Sequence, residues 1–384
     1  MLARYWLDFS KITSIIHNPF IGGFQKTNLI IDHIGNMKNL STLDLTRCLR
    51  FLDSKAVNQL YQSLQCLVRL RHLDLSENGI GRNNNFIGLI DTFHCLKDTL
   101  RGLDLSGNEL FLGTTSALKD LFRSVATMTA IKYLSLKGNC LGRRIEIIDA
   151  FPATLTMLNL NYMALKAATV KGMDKLCKII SRLNCLSALF VSGNLLENHH
   201  FDMLSSMLQH LSGSLKSFII LGFSPSIPSL ASFLQIRINM KLLTDLDLSG
   251  LKIGKDAFML VSPIKRMIFL ESLNLADNDL SESSDMASLF TSLGSLVNLK
   301  YLDFHNNQLG MKMTTLCKIM GNLKCMEGMD LSGNRMEKLS RVALRRLFGH
   351  LEKLHNLTEL SLGTSVYLTA KIYLKKIPRR IILQ

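Results

Sequence analysis

The stretch LRHLDLSENGIG, Leu70–Gly81, sets the frame for the rest of the chain. Its leucines occupy the first, fourth and sixth positions, an asparagine the ninth and an aliphatic residue the eleventh. The same frame returns as LRGLDLSGNEL (Leu100–Leu110), LESLNLADNDL (Leu270–Leu280) and LKYLDFHNNQL (Leu299–Leu309). Alternate leucines over a few residues predict a strand with one buried face, and the asparagine predicts a turn at its end.

First-position residues then fall at Leu40, Leu70, Leu100, Ile131, Leu155, Leu186, Leu215, Leu243, Leu270, Leu299, Met326 and Leu357. The intervals run from 24 to 31 residues and average about 29. That period leaves room for a helix in each return segment, whereas shorter repeats allow only a turn. Strands are expected to begin near the fourth positions: Leu43, Leu73, Leu103, Leu134, Leu158, Leu189, Phe218, Leu246, Leu273, Leu302, Met329 and Leu360. Helical faces are legible as Ala56, Leu60, Leu64 and Leu67 after a possible Asp53 cap, and as Leu118, Leu121, Phe122 and Val125. Leu204, Leu208 and Leu211, and Val342, Leu344, Leu347 and Leu351, repeat the pattern. The 24-residue interval before Leu155 leaves only a turn or two at Ile145–Phe151, and Pro263 is expected to kink or end its helix. Residues 1–39 read as an irregular N-terminal cap: Leu2, Tyr5, Leu7, Ser10 and Ile12 fit a degenerate first strand, and Asn18–Gly23 a turn. Residues 40–368 form the repeat array, and 369–384 a basic C-terminal tail or partial cap.

Strand, asparagine turn and helix at this period resemble the ribonuclease-inhibitor-type leucine-rich repeats, as found in NOD-like receptor sensing arms and host-mimicking effectors of intracellular bacteria. The aliphatic-glycine steps Ile80-Gly81, Leu141-Gly142, Ile253-Gly254 and Leu309-Gly310 match that subtype. The resemblance implies an α/β solenoid, a right-handed horseshoe with a parallel sheet on its concave face and helices on its convex face. Inward leucines can be buried only by stacking on a neighbour. The ninth-position asparagine is expected to satisfy backbone groups in the turn of the next repeat. It stands at Asn78, Asn108, Asn139, Asn194, Asn278, Asn307 and Asn334, with Cys48 in its slot in the first repeat. Met163, Phe223 and Leu251 replace it in the middle.

Apolar residues at 47% suffice for a core. The most apolar window, Phe218–Leu234, is interrupted by Pro225, Pro228 and four serines, so no membrane span is expected. The N-terminal MLARYWLDFSKIT lacks the layout of a secretory signal. Eight cysteines without a Cys-x-x-Cys read as small buried hydrophobes in a reducing compartment, hence a cytoplasmic location. His199–His200 reads as a solvated pair, and no metal or other cofactor is expected. The formal charge is +15, yet the bases are scattered and no aromatic platform accompanies their short clusters, so nucleic acid is disfavoured as a partner.

The third, fifth, seventh and eighth positions are expected on the concave face. They carry ten acids (Asp44, Asp74, Glu77, Asp104, Asp245, Asp247, Asp277, Asp303, Asp330, Glu359) against two bases, Arg47 and Lys137. The row is either the common filler of the repeat or a selected acidic groove. In the middle repeats the fifth positions become Asn159, Phe190 and Ile219, with Met157, Tyr162 and Leu221 beside them. Sequence drift and a hot-spot-like anchor both account for them. The candidate partner-binding residues are therefore Tyr133, Met157, Tyr162, Phe190, Ile219, Leu221, Asp245, Asp247, Tyr301, Asp303 and His305. Twelve strands would extend about 53 Å, too long for a small-molecule pocket and suited to a protein. No catalytic motif is present, so an enzyme is not expected. The expected function is an intracellular protein-binding module, in particular an effector of an intracellular bacterium acting on proteins of the host cytosol. The alternatives are a GTPase-activating protein similar to those acting on Ran, or an inhibitor that occludes a basic enzyme.

Overall fold

The computed structural model describes residues 14–16, 33–83, 86–220, 226, 228–230, 232–233, 242–363, 366 and 381–382. The chain divides into two compact units, Met1–Leu196 and Glu197–Gln384.

The first unit contains β1 (Ser14–Ile16), β2 (Thr42–Asp44), β3 (His72–Asp74), β4 (Gly102–Asp104), β5 (Tyr133–Ser135), β6 (Met157–Asn159) and β7 (Ala188–Phe190). Each pairs in parallel with the next, and fourth-position residues face one another, as Leu43 faces Leu73 and Leu73 faces Leu103. The strands start one residue before the expected leucine, because the third-position amide already belongs to the ladder: His72 N donates to Ser41 O at 3.0 Å. Leu2 to Ile12 and the Asn18–Gly23 turn lie outside the described residues. The strand that precedes β2 places Ile15 opposite Leu43.

Asp53 caps the helix Ser54–Gln65 by accepting from Ala56 N at 2.8 Å. Its buried face is Val57, Leu60, Tyr61 and Leu64, one step round from the expected face through Ala56. Helices Ile87–Leu96, Thr115–Ala126 and Val170–Ile180 fill the same place in later repeats. The short interval before β6 holds only the 3-10 segment Gly142–Ile147, starting three residues before the expected turn.

The second unit contains β8 (Ser217–Ile219), β9 (Asp245–Asp247), β10 (Ser272–Asn274), β11 (Tyr301–Asp303), β12 (Gly328–Asp330), β13 (Glu359–Ser361) and β14 (Ile381–Ile382), again parallel in sequence order. β14 falls within the stretch expected as a basic tail or partial cap. Its helices include Asn198–His210, Val261–Arg266, Met286–Leu293, Met313–Met320 and Arg341–Leu351. Pro263 does not kink a helix. It sits in the first turn of Val261–Arg266, where N–H groups have no intrahelical acceptor anyway, after the 3-10 segment Gly254–Leu260. In the last helix Val342 is 63% exposed and Ala343 takes its place beside Leu344, Leu347 and Leu351.

First-, fourth- and sixth-position side chains are buried throughout, for example Leu70, Leu73 and Leu75 at 0–2% exposure. Burying each contributes about 1.5–3 kcal/mol, and only the adjacent repeats can supply the covering surface. The glycine of the aliphatic-glycine step is sterically required at two of its four sites, whereas Gly254 and Gly310 take left-handed φ values of +45° and +50°. A Cβ on Gly81 would stand 2.0 Å from Glu109 O, and one on Gly142 would stand 1.8 Å from Ala164 O.

The asparagines are buried, and their bonding runs opposite to expectation: each reaches back to the preceding repeat as well as to its own. Asn108 Nδ2 donates to Leu75 O at 2.9 Å and Leu105 O at 3.0 Å, while its Oδ1 accepts from Asn78 N at 2.9 Å. Where the slot is apolar, as at Met163 and Leu251, the following asparagine accepts from that residue's own N–H, at 2.8 Å from Asn194 and 3.0 Å from Asn278. Phe223 lies outside the described residues.

Two readings of single residues need correction. Cys48 and Cys177 are buried, but Cys66, Cys95, Cys140 and Cys185 are exposed, because they fall in helix-terminal and turn positions off the leucine faces. His200 is buried at 1% rather than solvated: its Nδ1 accepts from Glu197 N at 3.3 Å in a capping arrangement at the start of Asn198–His210.

Candidate functional site

The fifth-position acid has a structural task that its sequence pattern does not reveal. Asp74 Oδ1 accepts from Ser76 N at 2.8 Å, and Asp44 and Asp104 do the same for Thr46 and Ser106. Asp247, Asp303 and Asp330 repeat the bond with Ser249, His305 and Ser332. A side-chain oxygen two residues before the amide closes the strand end as an Asx turn. The amide side chains of Asn159 and Asn274 make the same bond, at 3.0 and 2.9 Å. The turn therefore requires an oxygen acceptor and not a charge.

In the second unit these acids converge. A groove of about 430 Å³ lies on the open face of the sheet, lined by Ile219, Asp245, Asp247, Tyr301, Asp303, Asp330, Glu359 and Ser361 among others. Five carboxylates from four strands border it, and no lysine or arginine does among the described residues. Burial raises the Asp303 carboxyl above the usual carboxylate range, opposed by the His305 N–H and reinforced by Asp330 and Asp247. The Tyr301 ring lies over Gly328, where an added Cβ would meet it at 2.7 Å, and its hydroxyl donates to Glu327 Oε2 at 3.0 Å. Ser361 Oγ is buried with no hydrogen-bond partner among the described residues.

Five of the sequence-derived candidates, Ile219, Asp245, Asp247, Tyr301 and Asp303, are thus brought together. His305 lies beyond the groove, with Nδ1 2.6 Å from Ser332 Oγ. Leu221 lies outside the described residues. The other four belong to the first unit and form no part of this groove. Tyr133 is half-buried, its hydroxyl donates to Asp104 Oδ2 at 3.0 Å, and burial together with that carboxylate pushes its pKa up to about 12. Met157 is 36% exposed and Tyr162 54%, the latter packed on Gly193 with Lys137 Nζ 5.8 Å from its ring centroid. Phe190 is half-buried in β7, opposite Asn159. Gly328 and Ser361 were missed. The glycine was detectable as a small third-position residue beside a tyrosine one; the serine carried no signal, since hydroxyls are common at these positions.

Among the described residues no group of three histidine, cysteine, aspartate or glutamate side chains is placed to hold a metal ion. No helix among them is long and apolar enough to cross a membrane.

Short parallel strands, buried asparagines and helical returns in register define an α/β leucine-rich-repeat protein. No family model matches the chain, and no curated protein does. Among solved structures it is similar to the leucine-rich repeat-containing protein LegL7 from Legionella pneumophila, at 22% identity and a TM-score of 0.43, covering 71% of this chain and 78% of that one. It is also similar to TLR13 in its complex with ssRNA13, at 17% identity and a TM-score of 0.38, covering 88% of this chain and 55% of that one.

Proposed function

We propose that the protein is a non-enzymatic protein-binding module of the ribonuclease-inhibitor type, and that the groove of the second unit receives a basic segment of its partner. One observation carries this reading: five carboxylates line the groove with no lysine or arginine beside them among the described residues, although Asn274 closes the same turn there without a charge. Crowding like charges on one face opposes folding and is repaid when a cationic partner binds. Tyr301 adds an aromatic face for an arginine or lysine side chain. Occlusion of a basic protein's working surface follows from the same chemistry. We extend the reading to an effector acting in a host cytosol on the resemblance of the sequence.

The test replaces Asp247, Asp303 and Asp330 together by asparagine, which keeps each turn bond. Affinity capture from a eukaryotic cytosol, read by mass spectrometry, should yield basic proteins with the wild-type chain and lose them with the triple variant and at raised salt. Capture of the same proteins by both chains refutes the groove as the site.

A further inference from the structure

The opposite charge collects at a different place, in the first unit. Second-position side chains leave the sheet at the edge where each helix returns to its strand. Here they are Ser41, Arg71, Arg101 and Lys132 in four successive repeats. The backbone holds them in register: Arg71 N donates to Ser41 O at 2.8 Å, Arg101 N to Arg71 O at 2.7 Å, and Lys132 N to Arg101 O at 2.7 Å. Arg71, Arg101 and Lys132 are exposed, and their side chains have no acidic partner among the described residues.

A pocket of about 380 Å³ opens at this edge, lined by Arg69, Arg71, Arg101, Asp98, Ser41 and Thr99 among others. Arg69 is already oriented, its Nη1 donating to Asn39 Oδ1 at 2.7 Å. Asp98 is the single acid of the lining, and its Oδ1 accepts from Thr129 Oγ1 at 2.5 Å. Three guanidinium groups on adjacent rungs repel one another unless an anion lies between them. In the second unit Glu271, Lys300 and Glu327 of the corresponding row alternate in sign, and Lys300 pairs with Glu271 at 2.7 Å. The uncompensated row belongs to the first unit.

We infer that this edge pocket binds closely spaced phosphate groups. Planar guanidinium forks match phosphate oxygens two at a time, and a phosphate offers more charge and more acceptor oxygens than a carboxylate. The volume suits a headgroup or small polyphosphate and is too small for a folded partner. The phosphates could belong to a lipid headgroup or to a soluble anion.

Two probes distinguish these sources with the full chain: inorganic tripolyphosphate, followed by calorimetry, and phosphatidylcholine vesicles containing phosphatidylinositol bisphosphate, followed by co-sedimentation. The double variant Arg71→Gln/Arg101→Gln should bind the preferred probe at least tenfold more weakly, with its melting temperature retained. The control Arg345→Gln/Arg346→Gln removes the same charge from exposed positions of the last helix and should bind as the wild type does. Tighter binding of the vesicles assigns a lipid headgroup; tighter binding of tripolyphosphate assigns a soluble ligand. Equal losses in the two double variants would reduce the effect to the net charge of the chain and overturn the site, as would failure of both probes to bind the wild type.

Discussion

Asn194 is the most exposed link in the asparagine ladder, not to solvent but to loss. Asn108 and Asn194 make the same kinds of bond, yet their neighbours differ. When Asn108 becomes alanine, Leu75 O keeps the bond from Asn78 Nδ2 at 2.8 Å and Leu105 O keeps that from Asn139 Nδ2 at 2.8 Å. Chiefly the buried Asn78 N–H is orphaned, which costs about 1–3 kcal/mol. When Asn194 becomes alanine, Met163 N and Leu165 N lose an acceptor at 2.8 and 3.3 Å. Leu160 O and Val191 O lose donors at 2.9 and 2.6 Å, and no second asparagine reaches either carbonyl among the described residues: Met163 occupies the slot that would serve Leu160 O, and the next slot in the sequence, which would serve Val191 O, is Phe223. Asn194→Ala should therefore destabilise by about 2 kcal/mol more than Asn108→Ala. Urea denaturation of both variants measures the difference. Hydrogen exchange at Met163 and Leu165 checks its location, since repeats couple mainly to neighbours and the loss can be local. Equal midpoint shifts, or unchanged exchange at those two amides, would refute the reasoning that a neighbouring asparagine buffers the loss.

Stability should respond to pH through Asp303. Its folded pKa is raised, so the native state holds the proton more firmly than the unfolded chain, and stability falls as pH climbs from the ordinary carboxylate range through the raised value. Asp303→Asn keeps an oxygen for the His305 N–H and should gain stability over the wild type at pH 7 but not at pH 3.5, as read by urea melts at both. The cysteines should divide by exposure. Cys66, Cys95, Cys140 and Cys185 should be alkylated in the native protein, while Cys48 and Cys177, whose thiols burial pushes up to about 12, should react only on unfolding, as mapped by peptide mass spectrometry.

The repeat frame was legible because it obeys two periods at once: alternation sets the strand, and the recurrence of about 29 residues sets the stacking partner. Every strand from β2 to β13 falls on that frame. Departures occur where a local backbone preference outweighs the pattern. Pro263 was read as a helix breaker, yet in a first turn its missing N–H has no cost. Cysteine type alone does not fix burial, because position decides it: Cys66 follows a helix that ends at Gln65, off the leucine face, and is exposed. The direction of the asparagine bonds could not be read at all, since sequence spacing is the same to the repeat before and the repeat after.

The acidic row was visible in the sequence, but its meaning was not, and the turn geometry separates two causes that composition merges. An aspartate at the fifth position is explained by the N–H two residues on, so the abundance of the residue is no evidence of binding. The charge is a separate matter. Asn274 sits between Asp247 and Asp303 on adjacent strands, makes the same bond at 2.9 Å, and adds no repulsion. Were the turn the sole constraint, asparagine at every fifth position would avoid the burial of charge that chiefly raises the Asp303 and Asp74 carboxyls from their ordinary value, and the repulsion between neighbouring aspartates that adds to it. Glu359 and Asp245 sharpen the point, for both stand at third positions, where no such turn bond exists. Asp245 accepts from the adjacent Thr244 Oγ1 at 2.7 Å but closes no turn, and neither does Glu359, which is why the groove and not the row is the feature to be tested with a basic partner.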